Sequence, residues 1–150
     1  MSLWHDLEGI DLAAMAPGTL IEHLGIEIVE LREDALVGRM PVDHRTVQPA
    51  GVLHGGASVA LAETLASWAG YLAVDRERFH VVGMEINANH LRPVSGGWVT
   101  ATAAPISVGR RAHVWEIRIV DDAGRLVCIS RCTLAVIEQR STYATPDARG

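Results

Sequence analysis

Residues 55–73 read GGASVALAETLASWAGYLA, and this stretch decides the architecture. A run without proline, with apolar residues at helical spacing, predicts one long α-helix over 55–72. Leu61, Leu65, Trp68 and Leu72 make one stripe, and Val59, Ala62, Ala66, Ala69 and Ala73 the stripe beside it. The remaining stripe holds Gly56, Ala60, Glu63, Ser67 and Gly70. A helix apolar nearly all round is a buried helix, and Glu63 is its only charge. An ionised carboxylate in that setting is costly unless it is partnered. Two readings compete. In one, an arginine reaches in and pairs with Glu63. In the other, Glu63 is a catalytic base or nucleophile on a stripe whose small residues leave room for substrate, and Ser67, one turn along, holds the carboxylate or a water.

Before this helix the pattern is mixed. Residues 5–24 are expected to form a short helical lead-in, with Leu7, Ile10, Leu12, Met15 and Leu20 as its apolar positions. From Gly25 the period becomes two: Ile26 and Ile28, then Leu36, Gly38 and Met40, predict a hairpin turning at Glu33-Asp34. Pro41 to Ala50 is a connector rich in breakers. After the helix come strands. Residues 80–92 alternate Val82, Met84, Ile86 and Ala88, residues 98–108 alternate Val99, Ala101 and Ala103, and residues 111–121 alternate His113, Trp115, Ile117 and Ile119. Asp122-Ala123-Gly124 predicts a turn, and residues 125–137 alternate Leu126, Cys128, Ser130, Cys132, Leu134 and Val136. Trp98 and Trp115 are expected to fill the sheet core. The whole, residues 1–150, is read as one α+β domain, with a helix lying across a curved antiparallel sheet of five to six strands and a loose polar tail from about 139 to 150.

Composition narrows the chemistry. At 150 residues, 49% apolar and 21% charged, the chain has the balance of a folded globular protein. No apolar run is long enough to cross a bilayer, and Met1 to Asp6 has no basic segment leading into an apolar one, so a cytoplasmic location is expected. A net charge of −5 argues against nucleic-acid partners. All 13 positive residues are Arg, which excludes Schiff-base and P-loop lysine chemistry. Cys128 and Cys132, about 13 Å apart at strand rise, cannot form a disulfide and read as small core residues. His80, His90 and His113 lack metal-ligand spacing, so no metal is expected. Gly56-Ala57-Ser58-Val59-Ala60 ends in Ala where a nucleophile elbow needs Gly, and the strand-first context is missing.

The loop entering the helix carries Gln48, His54 and Gly55. Gly55-Gly56 places backbone N–H groups at a helix start, where the dipole suits a developing oxyanion. Gly55 and Glu63 are eight residues apart, about 12 Å along an α-helix axis. One carbonyl carbon cannot lie within about 3 Å of both in the same chain. If both act, Gly55 of one chain faces Glu63 of another, and two antiparallel helices create two sites about a two-fold axis.

Residues 40–71, MPVDHRTVQPAGVLHGGASVALAETLASWAGY, and residues 81–97, VVGMEINANHLRPVSGG, resemble one branch of the hotdog-fold acyl-CoA thioesterases. That branch includes the glutamate-dependent 4-hydroxybenzoyl-CoA thioesterases, the 1,4-dihydroxy-2-naphthoyl-CoA thioesterases and the proofreading thioesterase of enterobactin synthesis. The resemblance runs to about Glu138. It implies that Glu63 attacks the thioester directly or through water, that Gln48 and His54 position the thioester or the water, that Gly55 N–H polarises the carbonyl, and that Ser67 assists. It implies CoA binding along the strands with His90, Arg92, Arg110 and Arg111 as candidate phosphate ligands, with a solvated basic rim as the alternative for those four. It also implies a homotetramer of two dimers, with CoA as part of the substrate and no further cofactor. An aromatic acyl-CoA is the preferred substrate, with medium-chain CoA esters left open. An acyl or aryl carrier protein, a hotdog hydratase or dehydratase, and a non-catalytic acyl-binding module are the alternatives.

Overall fold

A computed structural model describes residues 2–139. Its elements are a short helix α1 (Leu20–Leu24), strands β1 (Glu27–Leu31) and β2 (Leu36–Pro41), the long helix α2 (Gly55–Ala73), and strands β3 (Phe79–His90), β4 (Trp98–Val108), β5 (Ala112–Asp121) and β6 (Leu126–Glu138). The six strands form one antiparallel sheet in the order β1-β2-β4-β5-β6-β3. This is the α+β hotdog arrangement, with α2 as the filling. The tail proposed for 139–150 lies, beyond Gln139, outside the described residues. Among the described residues no helix is long and apolar enough to cross a membrane.

The expected stripe makes the core. Leu61, Leu65 and Leu72 are buried against Leu36, Met40, Val99, Ala101, Ala103, Trp115, Ile117, Ile119, Cys132 and Leu134. Each leucine so buried contributes roughly 2 kcal/mol relative to exposure. Small residues let α2 sit close to the sheet. A Cβ on Gly38 would come within 2.7 Å of Leu65 Cδ2 and 2.8 Å of the Glu27 carbonyl oxygen, so only glycine fits under the helix there. Both cysteines are free and buried. Burial, reinforced by the charges of Glu63 and Glu85, pushes the Cys132 thiol up to about 12.

Three expectations need correction. Residues 5–24 are not a continuous helix: only a 3₁₀ turn at Ala13–Met15 and the five residues of α1 are helical. Gly9 and Gly18 adopt positive φ and Pro17 intervenes, so a regular helix cannot run through. Thr19 instead caps α1, its hydroxyl accepting from Ile21 N–H. Second, the inward set of β3 is not Val82 and Met84, which are 41% and 66% exposed. Pairing with β6 slips between Gly83 and Glu85, and this bulge shifts the alternation by one. Val81 before it, and Ile86 and Ala88 after it, meet the core. Third, Trp115 is fully buried, but Trp98 points the other way from buried Val99 and lies under the Arg39 guanidinium, 4.2 Å from its ring centre.

Candidate active site

The connector before α2 is held by short-range hydrogen bonds. Gln48 N–H donates to Val52 O, Gly51 N–H to Gln48 O, and Gly51 takes φ +78° to close the turn. His54 then caps α2, its Nδ1 accepting from Gly56 N–H at 2.8 Å. The pair of free N–H groups expected at the helix start is therefore reduced to one. Gly56 is spent on the cap, and Gly55 N–H has no acceptor among the described residues. That leaves one backbone donor at the positive end of a 19-residue helix, available to a carbonyl oxygen.

A cavity of about 360 Å³ opens at this end, lined by Gln48, Gly55, Ser58, His90 and Arg92 among others. The His90 imidazole lies directly over Gly55: a Cβ on that glycine would sit 2.8 Å from Nε2. Of the predicted residues, the structure thus gathers Gln48, Gly55, His90 and Arg92 in one place, with His54 beside them as the cap.

Glu63 and Ser67 line a different cavity, of about 540 Å³, with Val59, Ala60, Thr64 and Trp68 from α2 and Leu20 and Ile21 from α1. Glu63 is half-buried rather than sealed in a core. The flank of α2 that carries it faces open space, which corrects the expectation of a helix buried all round. No ion pair involves Glu63 among the described residues, so the arginine reading has no counterpart there. Its carboxylate rests against the backbone of Gly83 on β3. Ser67 shares the cavity without a hydrogen bond to Glu63. Thr64 also lines it, with Oγ1 donating to Ala60 O at 2.7 Å. Sequence reasoning passed over Thr64, Leu20 and Ile21, the last two because residues 5–24 were read as a plain lead-in.

Arg110 and Arg111 stand apart from His90 and Arg92. They form the β4–β5 turn, where Arg111 O accepts from Val136 N–H. His90 is level with Cys128 on β6, and Ala112 with Ala135. Seven residues of strand separate those levels, about 23 Å. Arg110 instead shares a cleft with Arg78, Phe79 and His113 at the other end of α2. His113 is buried, and burial pushes its imidazole below the usual histidine range against the opposing hydrogen bond with the Gly109 backbone. Among the described residues, no group of three or more His, Cys, Asp or Glu is placed to hold a metal ion.

This arrangement can be set beside known proteins. Residues 50–128 match the family model of the thioesterase superfamily, 4HBT. The chain is 54% identical over 126 residues to the proofreading thioesterase EntH of Cronobacter turicensis, covering 84% of this chain and 91% of that protein. It is 48% identical over 126 residues to the 1,4-dihydroxy-2-naphthoyl-CoA hydrolase of Escherichia coli, covering 84% and 92%. The crystal structure of a mutant thioesterase from Pseudomonas aeruginosa superposes with a TM-score of 0.88 at 46% identity, covering 92% of this chain and all of that one. A cavity whose carboxylate has no cationic partner, and a helix N-terminus whose first N–H has no acceptor, among the described residues, together with this degree of likeness, lead to one conclusion: the chain belongs to the hotdog thioesterase superfamily and is a thioester hydrolase.

Proposed function

We propose that the protein hydrolyses an aromatic acyl-CoA to the free acid and CoA, with Glu63 as the nucleophile or general base. The observation that carries this reading is the Glu63 carboxylate itself, which has no cationic partner among the described residues and lines a cavity otherwise made of small, apolar and hydroxyl side chains. Glu63 attacks the thioester carbon or deprotonates the attacking water. In the general-base path the C–S bond breaks and the proton held by Glu63 passes to the departing CoA thiolate. In the nucleophilic path the thiolate leaves a mixed anhydride on Glu63. Water hydrolyses that anhydride, which gives the free acid, restores the carboxylate and supplies the proton the thiolate takes up. Gly55 N–H receives the developing oxyanion, Gln48 and His54 orient the thioester or water, and Ser67 steadies the carboxylate. His90 and Arg92, beside Gly55, and Arg110 and Arg111, about 23 Å away on the same chain, bind the phosphates of one CoA only where two chains share a site.

The active unit is a homodimer with shared sites, and two dimers make a tetramer. Two observations support this. Glu63 and Gly55 line separate cavities of one chain, and β3 is an edge strand with open backbone groups and exposed Val82 and Met84. The likeness to a proofreading thioesterase supports a second reading, in which the thioester is carried by an aryl carrier protein.

Release of free thiol from benzoyl-CoA tests the first reading. Glu63→Gln should lower kcat by a factor of about 10² to 10⁴ with substrate binding retained. Near-normal turnover by that variant would make Glu63 structural. A kcat/KM for aryl-loaded carrier protein far above that for the CoA ester would favour the second reading.

A further inference from the structure

Helix α1 is held in place without the side chain of its first residue. Leu24 is buried in the core, and Ile21 packs against it. Thr19 caps the helix, and the Glu22 carboxylate accepts from Gly18 N–H at 2.7 Å. At the other end Gly25 takes φ +69°, and Ile26 N–H donates to Ile21 O. The Leu20 side chain takes no part in these contacts. It is 62% exposed, and with Ile21 it lines the Glu63 cavity, whereas Glu22 and His23, the polar residues of α1, do not. One exposed leucine is ordinary on a protein surface. This one belongs to the apolar lining of a cavity that holds a carboxylate, in company with Val59, Ala60 and Trp68 from α2.

We propose that α1 is the element that selects the acyl group: Leu20, beside Ile21, is the apolar surface that meets the far end of an acyl group whose carbonyl is held at Glu63. The proposal rests on the reading that the acyl group sits in the Glu63 cavity. Such an acyl group leaves α2 with its carbonyl and meets α1 with whatever it carries beyond. A benzoyl ring covers leucine surface that the free protein leaves in water, and each methylene so buried is worth about fourfold in binding. An acetyl group has only a methyl beyond its carbonyl carbon and gains little. Selection for the larger apolar group then comes from a side chain that the fold does not use.

The test is the ratio of kcat/KM for benzoyl-CoA to that for acetyl-CoA in the wild type, Leu20→Ala, Leu20→Gln and Leu20→Met. The Ala and Gln variants should lower the ratio by about tenfold, through loss on benzoyl-CoA with acetyl-CoA little changed. Leu20→Met restores an apolar side chain of similar volume and should hold the ratio within about threefold of the wild type. Glutamine keeps the length of the side chain and suits an exposed helical position, so a folding defect in the Ala variant does not decide the outcome. A ratio in the Gln variant equal to that of the wild type overturns the role of α1, as does an equal loss on both esters. Failure of the underlying reading is separately visible: near-normal turnover by Glu63→Gln overturns the site, and this proposal with it.

Discussion

The Glu63 carboxylate is seated on Gly83: a Cβ built at that glycine would stand 2.5 Å from Oε1. The contact joins the middle of α2 to the edge strand β3 at the position where β3 slips its register with β6. The absence of a side chain at residue 83 is what lets the carboxylate lie flat against the strand. A methyl group there must push Oε1 away, whatever else adjusts.

Gly83→Ala should therefore reduce kcat about a hundredfold, the cost of displacing a reacting group by about an ångström. KM should change little, because Gly83 touches the Glu63 carboxylate and carries no side chain to hold CoA. Steady-state kinetics on benzoyl-CoA, beside a thermal melt to establish folding, measure this. Unchanged kcat in a folded variant would detach the Glu63 position from turnover.

Glu63 and Gly55 line different cavities, so inactive chains should complement one another. Glu63→Ala and Gln48→Ala chains, exchanged by partial denaturation or co-expressed, should recover up to roughly a quarter of wild-type activity if dimers assemble at random, since half are mixed and each has one intact site. Mass analysis that shows exchange without returning activity would mean that each chain holds a complete site.

Arg110→Ala and Arg111→Ala should raise KM for CoA esters more than they lower kcat, because phosphate contacts serve ground and transition states alike. The same variants should affect a short pantetheine thioester far less. Equal KM values for both substrates in wild type and variants would leave the two arginines as a solvated rim.

His113 makes stability depend on pH. Its folded value is pushed below the ordinary 6.5 by burial, so between the two values the unfolded chain holds the extra proton. Stability is then full above about 6.5 and falls as the pH drops towards the folded value. Asp43, held at about 2 beside Arg45, titrates well below this window. Thermal melts from pH 7.5 to 5 should show a smaller loss of Tm for His113→Gln than for the wild type. Parallel curves would remove His113 from the account.

Much of the architecture is local in origin and was therefore legible. Helix α2 follows from the spacing of Leu61, Leu65, Trp68 and Leu72, and β4, β5 and β6 follow from strict alternation, because a side chain's face is set by the backbone period alone. Glu63 stood out for the same reason, as the one charge on an apolar helix. The N-terminal segment was misread because its apolar residues are placed by what they cover, α2 and the β1–β2 hairpin, and not by a period of their own. The face of Val82 and Met84 was misread because a bulge is a property of two strands, written jointly by β3 and β6. The stripe assignment could not say that Glu63 opens onto a cavity roofed by Leu20 and Ile21, that His90 lies over Gly55, or that Arg110 and His90 sit at opposite ends of the sheet. Residue order along the chain determines which groups share a face of one element. Which faces meet, and what space they leave between them, is decided only when distant segments dock.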